Sequence, residues 1–528
     1  MERNSSCCSL LDHYYDVGIG RISNIEDKVN LVKSLLDIQR ASFNANALVL
    51  GAGISGLACT RWLLYRGCKV TLTDSRSLDI PLEQSAELSI ETGVNFRSLD
   101  IHHSNVDLIV TSPGLSPFDN SGLKNIINKT KNNILAVTEI DLFDFEINQL
   151  RDGSKSEKNK IIAVTGTNGK TSVVNLVKDQ ISEIGLDAQM AGNVGPSLLE
   201  ALFERAKKNC FPDVWVLELS SFQLALTNKF SPDIACILNV SEDHLDWHKT
   251  KSNYLESKLK VFGIPKPTAV PIIFEDDQPL KKNISKRFIP EDKILFNSRI
   301  TFSKLTNDSK TIFGISHDHE GKFFFKNENN VKNSFINLSE IELAGEHNFV
   351  NILFSFSLTY AVNDNYKKFS KAVLKFKTLS HRLENVYSSD LLNIIDDSKA
   401  TNTSATVAAL NSFNDPIILV LGGDLKGQCL GELTNSIEER NIISFVFGKD
   451  KKLIFDAFSE KNLSIQTVND LNDLMIELRK KMVKFSEQKL TILFSPACSS
   501  TDMFKNYVHR AQEFRKAIKV LFEEGKHA

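Results

Sequence analysis

Apolar residues in this chain fall into short runs that each end in a glycine- or hydroxyl-rich segment. The clearest runs are 47–50, 106–110, 161–164, 214–217, 234–238, 416–421 and 490–494. Between the runs, apolar residues recur at helical spacing, as they do after 161–164 at Val173, Val174, Val177, Ile181 and Ile184. Buried strands that alternate with amphipathic helices are typical of parallel α/β sheets. The pattern therefore predicts an α/β protein whose ligand sites lie at the carboxyl ends of its strands.

The same pattern divides the chain into an N-terminal extension and three α/β domains. Residues 1–44 contain a helical pattern from Ile25 to Ile38 but no recognisable chemistry. Residues 45–155 are predicted to form a Rossmann-like domain that ends near a polar linker, RDGSKSEKNK. Residues 156–378 are predicted to form a central P-loop ATPase-like domain, and residues 379–528 a second Rossmann-like domain.

The later part of the central domain has a different pattern. Short β runs at 269–274, 311–315 and 322–325 alternate with polar turns, which predicts a small antiparallel sheet. The apolar run 349–362 follows. Because this run is short and interrupted by polar residues, we predict a buried helix and not a membrane span.

Composition narrows the class of protein. The 528 residues carry 63 Lys and Arg against 65 Asp and Glu, a formal charge of −2, so no nucleic-acid or anionic-membrane partner is expected. The eight cysteines show no C-x-x-C pair and no metal-ligand spacing, which predicts reduced, mostly buried thiols in a cytoplasmic protein. The N-terminus lacks the apolar core of a signal peptide, and no membrane insertion is expected.

A first glycine-rich loop follows the first predicted strand. Gly51, Gly53 and Gly56 form the pattern G-x-G-x-x-G, and a second strand ends at Asp74. This combination is the dinucleotide fingerprint, in which backbone amides face a pyrophosphate and the acid holds a ribose. Alone it favours an oxidoreductase. The diphosphate of a UDP-sugar would satisfy the same amides, so both interpretations stay open.

A second loop, in the segment IIAVTGTNGKT at 161–171, joins a strand to a helix. Its N–H groups and the helix N-terminus would hold phosphates, Lys170 would reach the outer phosphates, and the Thr171 hydroxyl would hold Mg²⁺. The general P-loop pattern has a glycine where this chain has Val164. A dehydrogenase needs no triphosphate site, so the loop favours an ATP-dependent enzyme. A non-catalytic nucleotide-binding regulator is a third possibility.

Polar residues near this loop add candidates for a metal site. Glu218 ends the buried run 214–217, which is how P-loop proteins place an acid near Mg²⁺. Asp243, His244 and Asp246 follow the run 234–238, but the sequence supports an ordinary loop equally well. Lys258 lies on a predicted helix, where a lysine is usually solvated.

A longer series of motifs resembles one family. Over about residues 45–528 the chain contains, in order, TGTNGKT, GNVG, ELSSFQL, the His244 loop, Y-x-x-x-K, GEHN, HRLE, DDSKATN, LGGDLK and SPACSSTDMFKNY. This series resembles the Mur ligases of the superfamily of ATP-dependent amide ligases that also contains folylpolyglutamate synthase. DSKATN and SPACSS resemble most the members that add D-glutamate. The chain departs from the family in the segment before 45, in the imperfect P-loop and in the stretch 263–343.

The resemblance implies an activity. ATP would phosphorylate the terminal carboxylate of UDP-N-acetylmuramoyl-L-alanine, and the amine of D-glutamate would attack the acyl phosphate to give an amide, ADP and phosphate in peptidoglycan synthesis. Because anions must be brought together, charge neutralisation by Lys170 and two Mg²⁺ ions would be the main catalytic task. The family also implies a cytoplasmic enzyme, expected to be a monomer, whose three domains close around the substrates.

The resemblance also implies roles for individual residues. The catalytic residues would be Lys170, His244 and Lys258. ATP would be held by Gly166, Thr167, Asn168, Gly169, Lys170, Thr171, Asn351, Arg382 and Asp397. The UDP-substrate site would comprise Ser55, Asp74, Arg76, Gly114 and Asn193, and the D-glutamate site Lys399, Thr401, Lys426, Ser500 and Tyr507. The metal ligands would be Thr171, Glu218, His244 and Lys258, with Lys258 carbamylated and so carboxylate-like.

Overall fold

The computed structural model describes most of the chain between residues 45 and 523. The structure does not describe residues 1–44, 97–98, 100–105, 119–122, 124–125, 127–134, 153–157, 275–279, 281, 285–294, 299–310, 320, 329–330, 344, 415, 439, 483–487 and 524–528. The predicted helix in the N-terminal extension and the middle of the predicted linker therefore lie outside the described residues. The described strands form three sheets, one from each predicted domain.

The N-terminal sheet has five parallel strands in the order β3-β2-β1-β4-β5. They are β1 (Asn46–Leu50), β2 (Lys69–Asp74), β3 (Leu88–Thr92), β4 (Leu108–Thr111) and β5 (Leu135–Val137), with helices α1 (Ile54–Tyr65) and α2 (Glu139–Asp152). A Cβ at Gly56 would stand 1.8 Å from the Gly51 oxygen, so only glycine lets α1 start this close to β1. The glycine loop thus takes the predicted strand–loop–helix form.

The central sheet has nine strands in the order β14-β13-β12-β11-β10-β9-β6-β8-β7. They are β6 (Lys160–Thr165), β7 (Ala188–Gly192), β8 (Val214–Glu218), β9 (Ile234–Ile237), β10 (Val270–Phe274), β11 (Leu295–Ser298), β12 (Thr311–Asp318), β13 (Gly321–Glu328) and β14 (Val331–Asn337). The helices are α3 (Lys170–Glu183), α4 (Leu198–Lys207), α5 (Ser221–Leu226), α6 (Leu245–His248), α7 (Lys251–Leu259), α8 (Glu346–Tyr360), α9 (Tyr366–Phe369) and α10 (Lys371–Lys375). The buried strand β6 lies between β8 and β9, so the loops after all three meet at one edge.

The predicted antiparallel sheet is present as β12, β13 and β14, and it extends the central sheet. The assignment of 269–274 to it is wrong, because β10 pairs in parallel with β9. A short apolar run does not encode the direction of its partner, which explains the error. The predicted buried helix is confirmed as α8, in which Ile352 and Phe354 are fully buried.

The C-terminal sheet has six strands in the order β15-β16-β20-β17-β18-β19. They are β15 (Glu384–Ser388), β16 (Leu392–Asp396), β17 (Ile417–Gly422), β18 (Ile442–Phe447), β19 (Ile465–Thr467) and β20 (Leu490–Phe494). The helices are α11 (Thr403–Leu410), α12 (Gly431–Ile437), α13 (Lys451–Glu460), α14 (Leu471–Met482) and α15 (Tyr507–Glu523). Among the described strands of this sheet, only the edge strand β15 is antiparallel, so the others direct their following loops to one edge.

Two further sequence expectations concern cysteines and membranes. The described cysteines are all free thiols; Cys59, Cys68, Cys236 and Cys498 are buried, whereas Cys210 and Cys429 are exposed. Among the described helices, none has the length and apolarity needed to span a bilayer.

Candidate nucleotide and ligation site

The loop at residues 166–169 joins β6 to α3 and contacts two other elements. Gly169 has φ of +86°, and a Cβ there would stand 2.4 Å from the Asn351 side-chain oxygen, so glycine is required on both counts. Lys170 Nζ donates to the backbone oxygens of Gly166 (2.7 Å) and Thr167 (2.8 Å). Burial lowers the pKa of Lys170, while the nearby Glu218 opposes this shift. The amine is therefore held against the loop that precedes it.

A second lysine reaches the same loop from α7. Lys258 is 1% exposed, and its Nζ donates to the Gly166 oxygen at 2.9 Å and lies 4.5 Å from the centre of the Tyr254 ring. The Tyr254 hydroxyl bonds the Thr167 hydroxyl at 3.0 Å. Burial first, and the charge of Lys170 second, lower the pKa of Lys258 well below its usual value. The expectation of an ordinary solvated lysine is therefore wrong.

Glu218 lies at the end of β8, beside the loop. Its Oε1 accepts from Asn193 Nδ2 at 2.9 Å, whereas its Oε2 is buried without a hydrogen-bond partner in the described part of the chain. An unpartnered buried carboxylate oxygen is costly, and a divalent cation is the group that best satisfies it. The side chain that sequence singled out as a metal-binding acid thus carries an unsatisfied acceptor.

His244 follows β9 and has a left-handed backbone, with φ of 55°. Its Nε2 lies 3.6 Å from Asp243 Oδ2, and its ring packs on Phe222 with centroids 4.6 Å apart. Burial lowers the pKa of His244 to about 4. The imidazole is therefore neutral near pH 7, which is the form that ligates metals.

Another set of acidic and imidazole side chains forms the compact group His381, Glu384 and Asp396, whose ligand atoms lie within 4.8 Å of one another. Arg515 donates to Glu384 at 2.5 Å and to Asp396 at 2.7 and 2.9 Å. Because the guanidinium already supplies positive charge, this group is an ion-pair cluster that ties the HRLE segment to α15.

A cleft of about 220 Å³ lies between the central and C-terminal sheets. Its polar lining includes Asn168, Gly169, Asn351, Arg382, Asp397 and Lys399, and its apolar lining includes Leu343, Val350, Phe376 and Leu379. Arg382, on the C-terminal side of the cleft, donates to the Thr171 hydroxyl of α3 at 2.9 Å. Apolar walls with a few convergent polar groups are typical of small-molecule sites.

Asp397 is a buried acid of this cleft. It accepts hydrogen bonds from Ser495 Oγ (2.8 Å) and the Leu383 N–H (3.2 Å). Burial nevertheless outweighs these bonds and raises the pKa of Asp397 to about 7. The cleft thus contains a carboxyl that exchanges a proton near neutral pH.

The residues predicted to bind D-glutamate lie at the carboxyl edge of the C-terminal sheet, on loops except for Tyr507, which begins α15. Lys399 Nζ lies 3.9 Å from the centre of the Tyr507 ring, and burial lowers the pKa of Lys399 to about 8. Lys426 Nζ lies 4.0 Å from Asp243 Oδ1 of the central sheet. Thr401 lies on the same loop as Lys399, and the buried Ser500 lies on a third loop of this edge, after β20.

The predicted UDP-substrate residues occupy two places. Ser55 begins α1 and donates to Glu139 Oε2 at 2.5 Å. Asp74 accepts from the Ala52 N–H at 2.7 Å and from Arg76, which lowers the pKa of Asp74 to about 2. Gly114 follows β4, the neighbour of β1, and has open space beside its Cα. Asn193 lies instead on the central sheet, bonded to Glu218.

Sequence reasoning missed two asparagines. Asn239 Oδ1 accepts from the Asn168 N–H (2.9 Å), and Asn402 bonds the Asn168 side chain across the cleft. Asn239 directly follows an apolar run, and Asn402 precedes helix α11 as an N-cap. Both local signals are present in the sequence. The contacts with Asn168, however, join residues far apart in the chain, and local patterns do not predict such contacts.

Comparison with known proteins adds sequence and fold relationships. A sequence model of the Mur ligase middle domain matches residues 164–359, and one of the Mur ligase MurD-like N-terminal domain matches residues 45–134. The chain is 31% identical over 481 residues to the UDP-N-acetylmuramoylalanine–D-glutamate ligase of Nitrosomonas europaea, covering 90% of this chain and 96% of that protein. It is 32% identical over 473 residues to the ligase of that name from Nitrosospira multiformis, covering 89% and 94%.

Solved structures share the fold at lower identity. A pseudomurein peptide ligase type C from Methanothermus fervidus matches with a TM-score of 0.53 and 16% identity, over 90% of this chain and all of that one. A MurF from Acinetobacter baumannii matches with a TM-score of 0.53 and 14% identity, over 90% and 92%. The fold of the chain is thus shared with these two solved structures.

Proposed function

The chain belongs to the Mur ligase family, and within it to the UDP-N-acetylmuramoylalanine–D-glutamate ligases, and we propose that it joins D-glutamate to UDP-N-acetylmuramoyl-L-alanine with conversion of ATP to ADP and phosphate. The protein is a ligase of peptidoglycan synthesis. The observation that carries the assignment of residues is the convergence of Lys170, Lys258 and Tyr254 on the loop at 166–169, beside Glu218.

The proposed chemistry has two steps. A carboxylate oxygen of the UDP-substrate attacks the γ-phosphorus of ATP, and ADP leaves. The amine of D-glutamate then attacks the acyl carbon, loses a proton, and phosphate leaves with the electron pair of the broken C–O bond. Both steps bring anions together, so Lys170 at the loop and Arg382 at the Thr171 hydroxyl are proposed to neutralise the phosphates.

Two Mg²⁺ ions are proposed, the first held by Thr171 and Glu218 beside the phosphates and the second near His244 and Lys258. The unpartnered Glu218 Oε2 supports the first site, because Mg²⁺ prefers oxygen ligands, and the neutral His244 ring supports the second. When bound, Mg²⁺ neutralises phosphate charge during transfer. The position of Glu218 at the end of β8, bonded to Asn193 after β7, supports this role.

Carbamylation of Lys258 is supported by its surroundings. Only a neutral amine can add to carbon dioxide, and the lowered pKa of Lys258 favours that form. The resulting carbamate is anionic, which would place a charge of opposite sign next to Lys170. It would also suit a second metal ion near His244.

The remaining assignments follow the position of each group. Asn351, Arg382 and Asp397 line the cleft beside the loop and are proposed to hold the adenine nucleotide. Lys399 and Lys426, with Thr401, Ser500 and Tyr507, are proposed to bind the two carboxylates of D-glutamate. Ser55, Asp74, Arg76 and Gly114 are proposed to bind the UDP group, with Asn193 nearer the reacting end. Closure of the three domains over these groups would keep water from the acyl phosphate.

The test is phosphate release from ATP in the presence of both substrates. Lys170→Ala is expected to abolish release while leaving UDP-substrate binding nearly intact, because all the residues proposed to bind that substrate except Asn193 lie on the N-terminal sheet. Lys178→Ala is the matched control, since Lys178 lies on the same helix with a side chain 45% exposed. An oxidoreductase would instead bind NAD(H) without ATP turnover, and a regulator would bind ATP without phosphate release.

A further inference from the structure

Arg510 is a fully buried arginine in the first turn of α15. Its Nη1 donates to the backbone oxygens of Cys498 (2.9 Å) and Gly422 (3.3 Å), and its Nη2 donates to the backbone oxygen of Ser398 (2.8 Å). One guanidinium therefore joins three separate loops. The planar guanidinium holds its N–H donors in a rigid fork, which suits simultaneous contacts with three loops. The ammonium of a lysine cannot make the same three contacts.

The three loops are neighbours at the carboxyl edge of the C-terminal sheet. Ser398 follows β16, Cys498 follows β20, and Gly422 ends β17, and these strands are adjacent in the order β16-β20-β17. The guanidinium thus spans the ends of three consecutive parallel strands. Such strand ends are where open α/β sheets bind their ligands.

Each of these loops also carries residues proposed to bind D-glutamate. Lys399 directly follows Ser398, Ser500 lies two residues after Cys498, and Lys426 lies four residues after Gly422. Arg510 bonds none of these side chains. It bonds only the backbone from which they project, so it acts on their relative positions.

Burial of a guanidinium at this position costs folding free energy. Its Nε is buried without a partner among the described residues, and the charges of Asp502, Asp396 and Asp397 offset its burial only in part. Burial lowers the pKa of Arg510 to about 10, which leaves the group cationic near pH 7. Well-packed apolar side chains stabilise a core at least as well as such a charge. The charge and its donor geometry therefore serve more than packing.

We propose that Arg510 is a positioning residue for the amino-acid subsite, fixing the loops after β16, β20 and β17 in the register that binds D-glutamate. This inference rests on the proposed function. Its cation also adds positive potential behind a subsite that receives two carboxylates. Arg510 is therefore expected to influence binding of the amino acid and not of ATP or the UDP-substrate.

Steady-state kinetics of phosphate release test this role in the full-length enzyme. Arg510→Lys keeps the charge but loses the fork, and Arg510→Gln keeps two donors but loses the charge. Both are expected to raise KM for D-glutamate by about ten-fold or more, with KM for ATP and the UDP-substrate changed less than about two-fold. Arg440→Lys is the matched control, because Arg440 donates to the backbone oxygens of Leu410 and Phe413 away from these loops.

The outcomes separate the two claims. A wild-type enzyme that releases no phosphate with D-glutamate would overturn the proposed function and this role together. If the wild type is active, an unchanged KM for D-glutamate, or an equal rise in all three KM values, would overturn the role of Arg510 alone. If neither Arg510 variant folds while Arg440→Lys does, Arg510 is purely structural and the inference fails.

Discussion

Asn168 and Asn402 pair their side-chain amides across the cleft between the central and C-terminal sheets. Asn168 Nδ2 donates to Asn402 Oδ1 at 3.1 Å, and Asn402 Nδ2 donates to Asn168 Oδ1 at 3.0 Å. Asn402 Nδ2 also donates to Asp243 Oδ2 (3.1 Å), and its Oδ1 caps α11 through the Ala405 N–H (2.9 Å). The phosphate loop and the proposed amino-acid subsite are therefore joined through one buried amide.

The Asn402→Asp variant separates the helix cap from the amide pair with Asn168. Aspartate keeps the helix cap but loses both donors and places a carboxylate beside Asp243. We expect turnover to fall by about ten-fold or more, and the free energy of unfolding to fall by roughly 1–3 kcal/mol because buried partners lose their donors. Phosphate release and thermal unfolding measure the two effects. Asn411→Asp, at the exposed far end of α11, is the control. Normal turnover of Asn402→Asp would show that the amide pair is dispensable.

Asp74→Ala is expected to weaken UDP-substrate binding and leave ATP binding unchanged. Asp74 fixes the glycine loop through the Ala52 N–H and holds Arg76, so its loss removes the local order of the proposed diphosphate site. Isothermal titration with each nucleotide measures the difference. Asp79→Ala, at an exposed position after the same strand, should bind both ligands normally. If the variant loses affinity for ATP but keeps its affinity for the UDP-substrate, the first glycine loop binds a cofactor and not the UDP-substrate.

Lys258→Ala is expected to be nearly inactive and partly rescued by a short carboxylic acid such as acetate, which can replace the anionic carbamate. Lys258→Arg should not recover, because guanidinium keeps its positive charge. Turnover with and without acetate provides the measurement. Lys251→Ala on the same helix, where the lysine side chain is 72% exposed, should be unaffected. Near-normal turnover of the Lys258→Ala variant without carboxylate or bicarbonate would exclude the carbamate role.

The raised pKa of Asp397 predicts how stability depends on pH. Between about pH 4 and pH 7 the folded protein holds a proton on Asp397 that the unfolded chain releases, so the wild type loses stability as pH rises through this window. Asparagine does not titrate. The urea midpoint of Asp397→Asn should therefore rise relative to wild type from pH 5 to pH 8, by the equivalent of roughly 1–4 kcal/mol. A difference that stays constant across this range would contradict the assigned pKa.

The ends of the strands could be predicted from the sequence because apolar runs and glycines are local signals. Glu218 at the end of β8 and the loop before Lys170 are examples of positions that the pattern located. Burial of Lys258 was not readable, since it depends on contact with Gly166, which lies 92 positions earlier in the chain. The guanidinium of Arg510 and the pairing of β10 likewise depend on elements distant in sequence. Local patterns predict which residues end at a sheet edge, and tertiary contacts decide what those residues touch.

The central claim is that this enzyme ligates D-glutamate, and an amino-acid scan of phosphate release tests it most directly. The purified full-length protein would receive ATP, Mg²⁺ and UDP-N-acetylmuramoyl-L-alanine with D-glutamate, L-glutamate, L-alanine, L-lysine or diaminopimelate in turn. The account predicts release with D-glutamate that depends on the UDP-substrate, and product of the mass expected for one added glutamate. Release with another amino acid and none with D-glutamate, from a folded protein that binds ATP, would contradict it.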